Sequence, residues 1–185
     1  MSYMKQYEPK FRMIRSLLEK EDPVVVEIGA HYGEDSLRFL ETFKNIRLFC
    51  FEPDKRNINI FKKHVADPRV ELFEVALSNV KGTAPFYPSY QECTTEKVPT
   101  KYDWISPEDF VWIDVQGAEK EVIEGMGTAI TNVKYIWMEY GEEFYEGGMS
   151  RGETLSLMQG RNFGEVVTYS AQTPQGDILF RNLGW

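Results

Sequence analysis

Four carboxylates stand where the spacing of this chain would give them chemistry. Glu27 precedes the turn Gly29-Ala30-His31-Tyr32-Gly33, Glu52 follows Gly29 by about 23 residues, and Asp114 and Glu119 bracket Val115-Gln116-Gly117-Ala118. An ionised carboxylate accepts from both hydroxyls of a ribose, which suits Glu52 followed by Pro53 at the tip of a second strand. Glycines at 29 and 33 let the backbone approach a ligand and take torsions that other residues resist. Their spacing, Gly-x-x-x-Gly, differs from the Gly-x-Gly-x-x-Gly of pyrophosphate-binding loops. A pocket that holds a ribose and cradles no diphosphate suits S-adenosylmethionine. The competing reading is a buried strand followed by a solvated acidic turn.

Around that pocket the residues divide by task. Gly29, Ala30, His31 and Gly33 would line the methionine end of the cofactor, with Glu27 and Ser36 beside them. Ala76, Leu77 and Ser78, at a third strand's end, would lie against the adenine. Asp114 ends a fourth strand beside the place for a transferable methyl group. Methyl transfer is an in-line displacement, so alignment and exclusion of water matter most. An alcohol nucleophile also loses a proton, and a carboxylate within reach can take it. Asp114 is the first choice for that role and Glu119 the second; turn-holding hydrogen bonds are the alternative for Asp114. His31 could serve as a base near neutral pH, although a side chain in such a loop more often orders the turn.

Several elements must position these groups. Tyr7 to Lys20 carries Phe11, Ile14, Leu17 and Leu18 at helical spacing and ends before Asp22-Pro23. Val24 to Ile28 and Arg47 to Phe51 read as strands buried on both faces. The helix between them carries Leu37, Phe39, Leu40 and Phe43. Asp54 is a natural N-cap for a helix from Lys55 to Val65. Val70 to Leu77 reads as one strand and Thr83 to Tyr87 as a short extra one. Pro88 to Ile105, with its prolines and Ser/Thr, reads as loop. Phe110 to Val115 and Val133 to Tyr140 are further strands. A helix lies between them on Ala118, Val122, Ile123 and Met126. Ser150 to Gln159 is a last helix with Gly160 as its C-cap. Phe163 to Tyr169 and Asp177 to Arg181 form a hairpin around Thr173-Pro174-Gln175-Gly176.

The order predicts an α/β fold: a mostly parallel seven-stranded Rossmann-like sheet, helices on both faces and a C-terminal β-hairpin. Residues 1–185 form a single domain in this reading, opened by an N-terminal helix within residues 1–22. Residues 87–106 and 141–149 both follow strands, so they are expected over the cofactor as substrate-side loops. Their aromatic and short polar residues, Tyr90, Trp104 and Tyr145 among them, suit a hydroxylated ligand.

The 185 residues carry a net charge of −8, with 42% hydrophobic and 27% charged residues. That balance is ordinary for a globular domain and disfavours nucleic acid, whose phosphates need clustered Lys and Arg. No apolar run approaches the roughly 20 residues of a membrane helix, and the first residues lack a signal-peptide core. Two cysteines make no disulfide framework, which places the chain in a reducing cytoplasm. Two histidines beside them give no metal set, so no metal is expected. A homo-oligomer is possible.

Four stretches together resemble the FkbM family of S-adenosylmethionine-dependent methyltransferases, within the class I Rossmann-like fold. They are Val26 to Gly33, Phe51-Glu52-Pro53, Val75 to Asn79, and Asp109-Phe110-Val111-Trp112-Ile113-Asp114-Val115-Gln116-Gly117-Ala118-Glu119. The last is the most specific, since members typically show Ile-Asp-Val-Glu-Gly there. This chain has Gln116 in place of that glutamate and so lacks its carboxylate. The resemblance implies O-methylation of a hydroxyl on a small sugar or natural-product-like substrate. A nicotinamide oxidoreductase would share the βαβ start and Glu52, but not the glycine spacing. A binding protein that keeps the pocket without turnover is the other alternative.

Overall fold

The computed structural model describes residues 4–86, 96–101, 109–142 and 145–185. Seven strands form one sheet in the spatial order β3-β2-β1-β7-β8-β10-β9. They are β1 (Val24–Ile28), β2 (Arg47–Phe51), β3 (Val70–Phe73), β7 (Phe110–Ile113), β8 (Tyr135–Gly141), β9 (Phe163–Tyr169) and β10 (Gln175–Asn182). The first five pair in parallel; β10 runs antiparallel to β8 and to β9. The fold expected from the sequence is the fold observed.

The apolar runs bury both faces, as a parallel sheet covered by helices requires. Val26, Ile28, Val111, Ile113, Ile136 and Met138 face helix α4 (Glu119–Gly125) and helix α5 (Arg151–Gln159) through Val122, Ile123 and Met158. The alternate residues Val25, Trp112 and Trp137 face α1 (Met4–Leu18), α2 (Glu34–Thr42) and α3 (Lys55–His64) through Phe11, Ile14, Phe39 and Phe61. On this second face the rings of Trp112 and Trp137 stack at 5.0 Å. Phe11 of α1 stacks on Trp112 at 5.7 Å.

Local signals account for most helix ends. Glu19, at φ 49°, ends α1. Asp54 caps α3 by accepting from the Arg56 backbone N–H at 2.8 Å. Ser150 and Glu153 form a reciprocal capping box on α5. Gly160 closes α5 at a helical φ of −61°. Asn162, at φ 66°, makes the left-handed turn into β9.

Two expectations are corrected. The strand expected over Val70 to Leu77 is two strands, β3 and β4 (Ala76–Leu77). Pairing with β2 stops at Phe51–Phe73, because β2 itself turns away at Glu52. Beyond that point β4 joins a second sheet of order β4-β6-β5. In it, β6 (Glu96–Lys101) lies inside the stretch read as loop and pairs antiparallel with β5 (Gly82–Phe86). Pro85 and Pro99 lower the strand signal. A small sheet tolerates them because only a two-residue contact with β4 flanks β6 on its other side.

Candidate active site

The carboxyl ends of β1, β2, β7 and β8 lie side by side, and the expected site residues gather there. At the end of β1 the chain turns through Gly29, with φ 87°. The backbone N–H groups of Gly29 and Ala30 both donate to the Phe51 carbonyl, at 2.9 and 3.1 Å. Gly33, at φ 88°, is the N-cap of α2, and a Cβ there would meet Val65 Cγ2 at 2.4 Å. Both glycines are therefore required by conformation and by space.

Glu52 is buried at the end of β2 and is already engaged. Its Oε2 accepts from the His31 backbone N–H at 2.9 Å, and its Oε1 from the Asp54 N–H at 2.8 Å and Asn57 Nδ2 at 3.2 Å. Burial raises its pKa, and those bonds pull the other way. The carboxylate ties the glycine turn to the start of α3, with Pro53 half-buried between Glu52 and Asp54.

Glu27 points to the α2 side of the sheet, where Ser36 Oγ and Cys50 Sγ both donate to its Oε2. Burial, reinforced by Asp35, pushes its pKa up to about 8. Ser36 is fully buried beneath the turn. His31 lies at the rim, its ring 3.7 Å from that of Tyr32 and its Nδ1 3.5 Å from Glu34 Oε2.

Asp114 and Glu119 share one turn and face different partners. The turn runs through Gln116 and Gly117, both at positive φ. Glu119 is buried and accepts from the Gly117 N–H at 3.0 Å and the Val115 N–H at 3.2 Å. Asp114 instead faces Glu139, its neighbour on β8. Burial raises both of their pKa values, Asp177 raises that of Asp114 further, and Asp114 raises that of Glu139. Gln175 Nε2 of β10 donates to Glu139 Oε1 at 2.7 Å. Asp35, pushed up to about 6 chiefly by burial, adds its charge from the first turn of α2.

Ala76 and Leu77 form β4 of the second sheet, and Ser78 follows them beside α4. A Cβ on Gly125 would stand 2.1 Å from the Ser78 carbonyl oxygen. After β8, residues 145–148 pack on the Asp114 turn, and a Cβ on Gly117 would lie 2.5 Å from the Glu146 carbonyl. Tyr90 and Trp104 lie outside the described residues, as does most of the stretch 87–106.

Sequence reasoning overlooks Glu139, Gln175, Asp177 and Asp35. Glu139 carries a signal, since it ends an apolar strand as Asp114 does. Gln175 and Asp177 carry none, because only the insertion of β10 between β8 and β9 brings them to the site.

The donor set fits an adenosyl sulfonium. Residues 29–33 contain no Lys or Arg for a diphosphate, and Glu52, Glu27, Asp114 and Glu139 stand near the carboxyl ends of four adjacent strands, β2, β1, β7 and β8. Among the described residues no group of three or more His, Cys, Asp or Glu is arranged to hold a metal ion.

Comparison with known proteins agrees. A family model described as the methyltransferase FkbM domain matches residues 97–166. The 2-O-methyltransferase NoeI of Sinorhizobium fredii is 34% identical over 207 aligned positions, covering 92% of this chain and 84% of the relative. Among solved structures, magnesium protoporphyrin IX methyltransferase from Synechocystis, with bound S-adenosylmethionine, matches at a TM-score of 0.66 and 7% identity. That match covers 96% of this chain and 78% of the other. Precorrin-6y C5,15-methyltransferase from Geobacter metallireducens matches at 0.59 and 15% identity, covering 92% and 84%. These two distant likenesses show the shared fold. The identity to the bacterial relative, over nearly the whole chain, shows that this chain belongs to the FkbM family of S-adenosylmethionine-dependent methyltransferases.

Proposed function

We propose that the chain methylates a hydroxyl oxygen of a small, uncharged, hydroxylated molecule. The observation that carries this reading is Asp114 at the end of β7, its backbone packed against the glycine turn and its carboxyl beside Glu139. Glu52, the turn from Gly29 to Gly33, and the buried Glu27–Ser36 pair would hold the cofactor, with Ala76 to Ser78 on the adenine side. Bound there, S-adenosylmethionine would supply an electrophilic methyl carbon to the acceptor oxygen, with the C–S electron pair left on sulfur. Asp114 takes the hydroxyl proton, which then passes to water. Glu119 holds the turn that carries Asp114, since its oxygens face backbone N–H groups.

A 2-O-methyltransferase among the relatives supports an oxygen acceptor. The net charge of −8 and the acidic surroundings of Asp114 disfavour phosphorylated acceptors and nucleic acid. No described helix is long and apolar enough to cross a membrane. The free, buried Cys50 is consistent with a reducing cytoplasm.

Transfer of label from methyl-labelled S-adenosylmethionine to a panel of neutral sugars and polyols tests the reading. The expected product is a base-stable methyl ether. Label found only in carboxylate esters or amines would overturn the hydroxyl assignment.

A further inference from the structure

Strands β7 and β8 are in register at Ile113–Met138, so Asp114 and Glu139 are the next residues along two adjacent strands. Each continues the face of the tryptophan two residues before it, Trp112 and Trp137, whose rings are stacked. Two half-buried carboxyls thus stand side by side on one face of the sheet, where two like charges oppose each other's ionisation. A hydrogen bond between neighbouring carboxyls needs a hydrogen on one of them. Burial and the facing Asp114 push Glu139 up to about 9, against about 6 for Asp114, so Glu139 holds it, with Oε1 accepting from Gln175 Nε2 at 2.7 Å. Glu139 Oε2 is then left to carry the proton.

We propose that the base for the acceptor hydroxyl is this Asp114–Glu139 pair working as one unit, with Gln175 as its positioning residue. The proposal rests on the reading that the acceptor is a hydroxyl. Asp114 is the ionised member that receives the proton. Glu139 is a positioning residue that donates to Asp114 and keeps the pair at one negative charge. When Asp114 accepts the hydroxyl proton the pair becomes neutral, and loss of that proton to water restores it. If Glu139 ionises instead, the shared bond is lost and two like charges face each other, so Asp114 is no longer held.

The charged and titratable groups around the pair come from every neighbouring element. Asp177 of β10 lies opposite Glu139 in the strand register. It is held by Lys10 Nζ of α1 at 2.6 Å and by Trp137 Nε1 at 3.2 Å. Asp35 comes from α2 and His31 from the glycine turn. Glu119 comes from α4 and Tyr145 from the segment after β8. Lys10 of α1 is thus engaged with Asp177, while a proton fills the corresponding place beside Asp114.

The test is a carboxyl titration of the cofactor-free protein labelled with carbon-13 at Asp and Glu side chains. In Asp114→Asn, the Glu139 midpoint should fall by at least one pH unit, because the charge that opposes its ionisation is gone. In Gln175→Met, which keeps Asp114 intact should the first variant unfold, the midpoint should rise as the amide donor is lost. A Glu139 midpoint unmoved in a folded variant would overturn the pair. With an acceptor in hand, the wild-type kcat profile should fall at high pH as Glu139 ionises. Glu139→Gln, still a donor, should remove that high-pH limb. A limb that persists in Glu139→Gln also counts against the pair. Calorimetry with S-adenosylhomocysteine reports on the cofactor pocket separately, so failure of the methyltransferase reading is distinguishable from failure of the pair.

Discussion

Gly29 lies against the backbone of Asp114: a Cβ on residue 29 would stand 1.8 Å from the Asp114 carbonyl oxygen. The Asp114 N–H in turn donates to the Ile28 carbonyl at 3.0 Å. The glycine turn and the proposed base are therefore one packed unit. Gly29→Ala must relieve a backbone clash as well as the strain of φ 87°, which by itself costs about 1–2 kcal/mol. The expected outcome is a markedly lower melting temperature with loss of S-adenosylhomocysteine binding. A stable variant with full affinity would show that the two loops move independently.

Glu52 makes a second prediction, with two readouts. Removing its carboxylate in Glu52→Ala leaves the N–H groups of His31 and Asp54 and the amide of Asn57 without their acceptor. Cofactor affinity should fall by about 1–3 kcal/mol in calorimetry, the scale of a lost charge-assisted hydrogen bond. Stability should fall too, because the carboxylate ties the turn to α3. Unchanged affinity in the folded variant would remove Glu52 from the ribose site and leave it a purely structural role.

Asp114→Asn keeps the shape and removes the base. Turnover should drop by roughly 100-fold or more, while affinity for the cofactor changes little. Parallel loss of both would assign Asp114 to the scaffold.

How far the site is legible in the sequence depends on how local each part is. β1, β2, β7 and β8 can be read directly, because a strand buried on both faces needs an unbroken apolar run. Glu52 and Asp114 are readable as the polar residues that end such runs. The division of labour between Asp114 and Glu119 is not readable. It depends on the left-handed backbone at Gln116, which turns the Gly117 N–H toward Glu119. Gln175 and Asp177 reach Glu139 through the strand order β8-β10-β9, a non-local pairing that no periodicity announces. β6 is hidden for a different reason, since Pro99 erases the local signal that its pairing with β5 restores.

Buried carboxyls predict how stability follows pH. Glu27, pushed from 4.5 up to about 8, is more easily protonated in the folded chain than in the unfolded one. Its contribution is present below the unfolded value and is lost as pH climbs toward about 8; Asp35 behaves likewise between 3.8 and about 6. The melting temperature should therefore decline from about pH 5 to pH 8, by an amount corresponding to a few kcal/mol. Glu27→Gln cannot ionise and should flatten that decline. An equal slope in the variant would move its origin to other groups.

The last prediction concerns what fixes α1 beside the acidic pair. Lys10 Nζ lies 2.6 Å from Asp177 Oδ2, with side chains 12% and 25% exposed. The ammonium also stands 4.9 Å from the Trp137 ring centroid and 5.4 Å from that of Tyr169. Exposed ion pairs contribute about 0–1 kcal/mol. Here the low exposure and the two ring faces favour a larger coupling. Lys10→Met would leave Asp177 facing Asp114, Glu139 and Asp35 without its cation, and such an uncompensated charge is costly. A double-mutant cycle of Lys10→Met with Asp177→Asn, read by urea unfolding, should give a coupling above about 1 kcal/mol. In the same Lys10→Met variant the Asp35 midpoint should rise, since Lys10 opposes the effect of burial on it. A coupling near zero with Asp35 unmoved would mean that α1 is held by Phe11 and Ile14 alone, and that the charge balance beside Glu139 is set without Lys10.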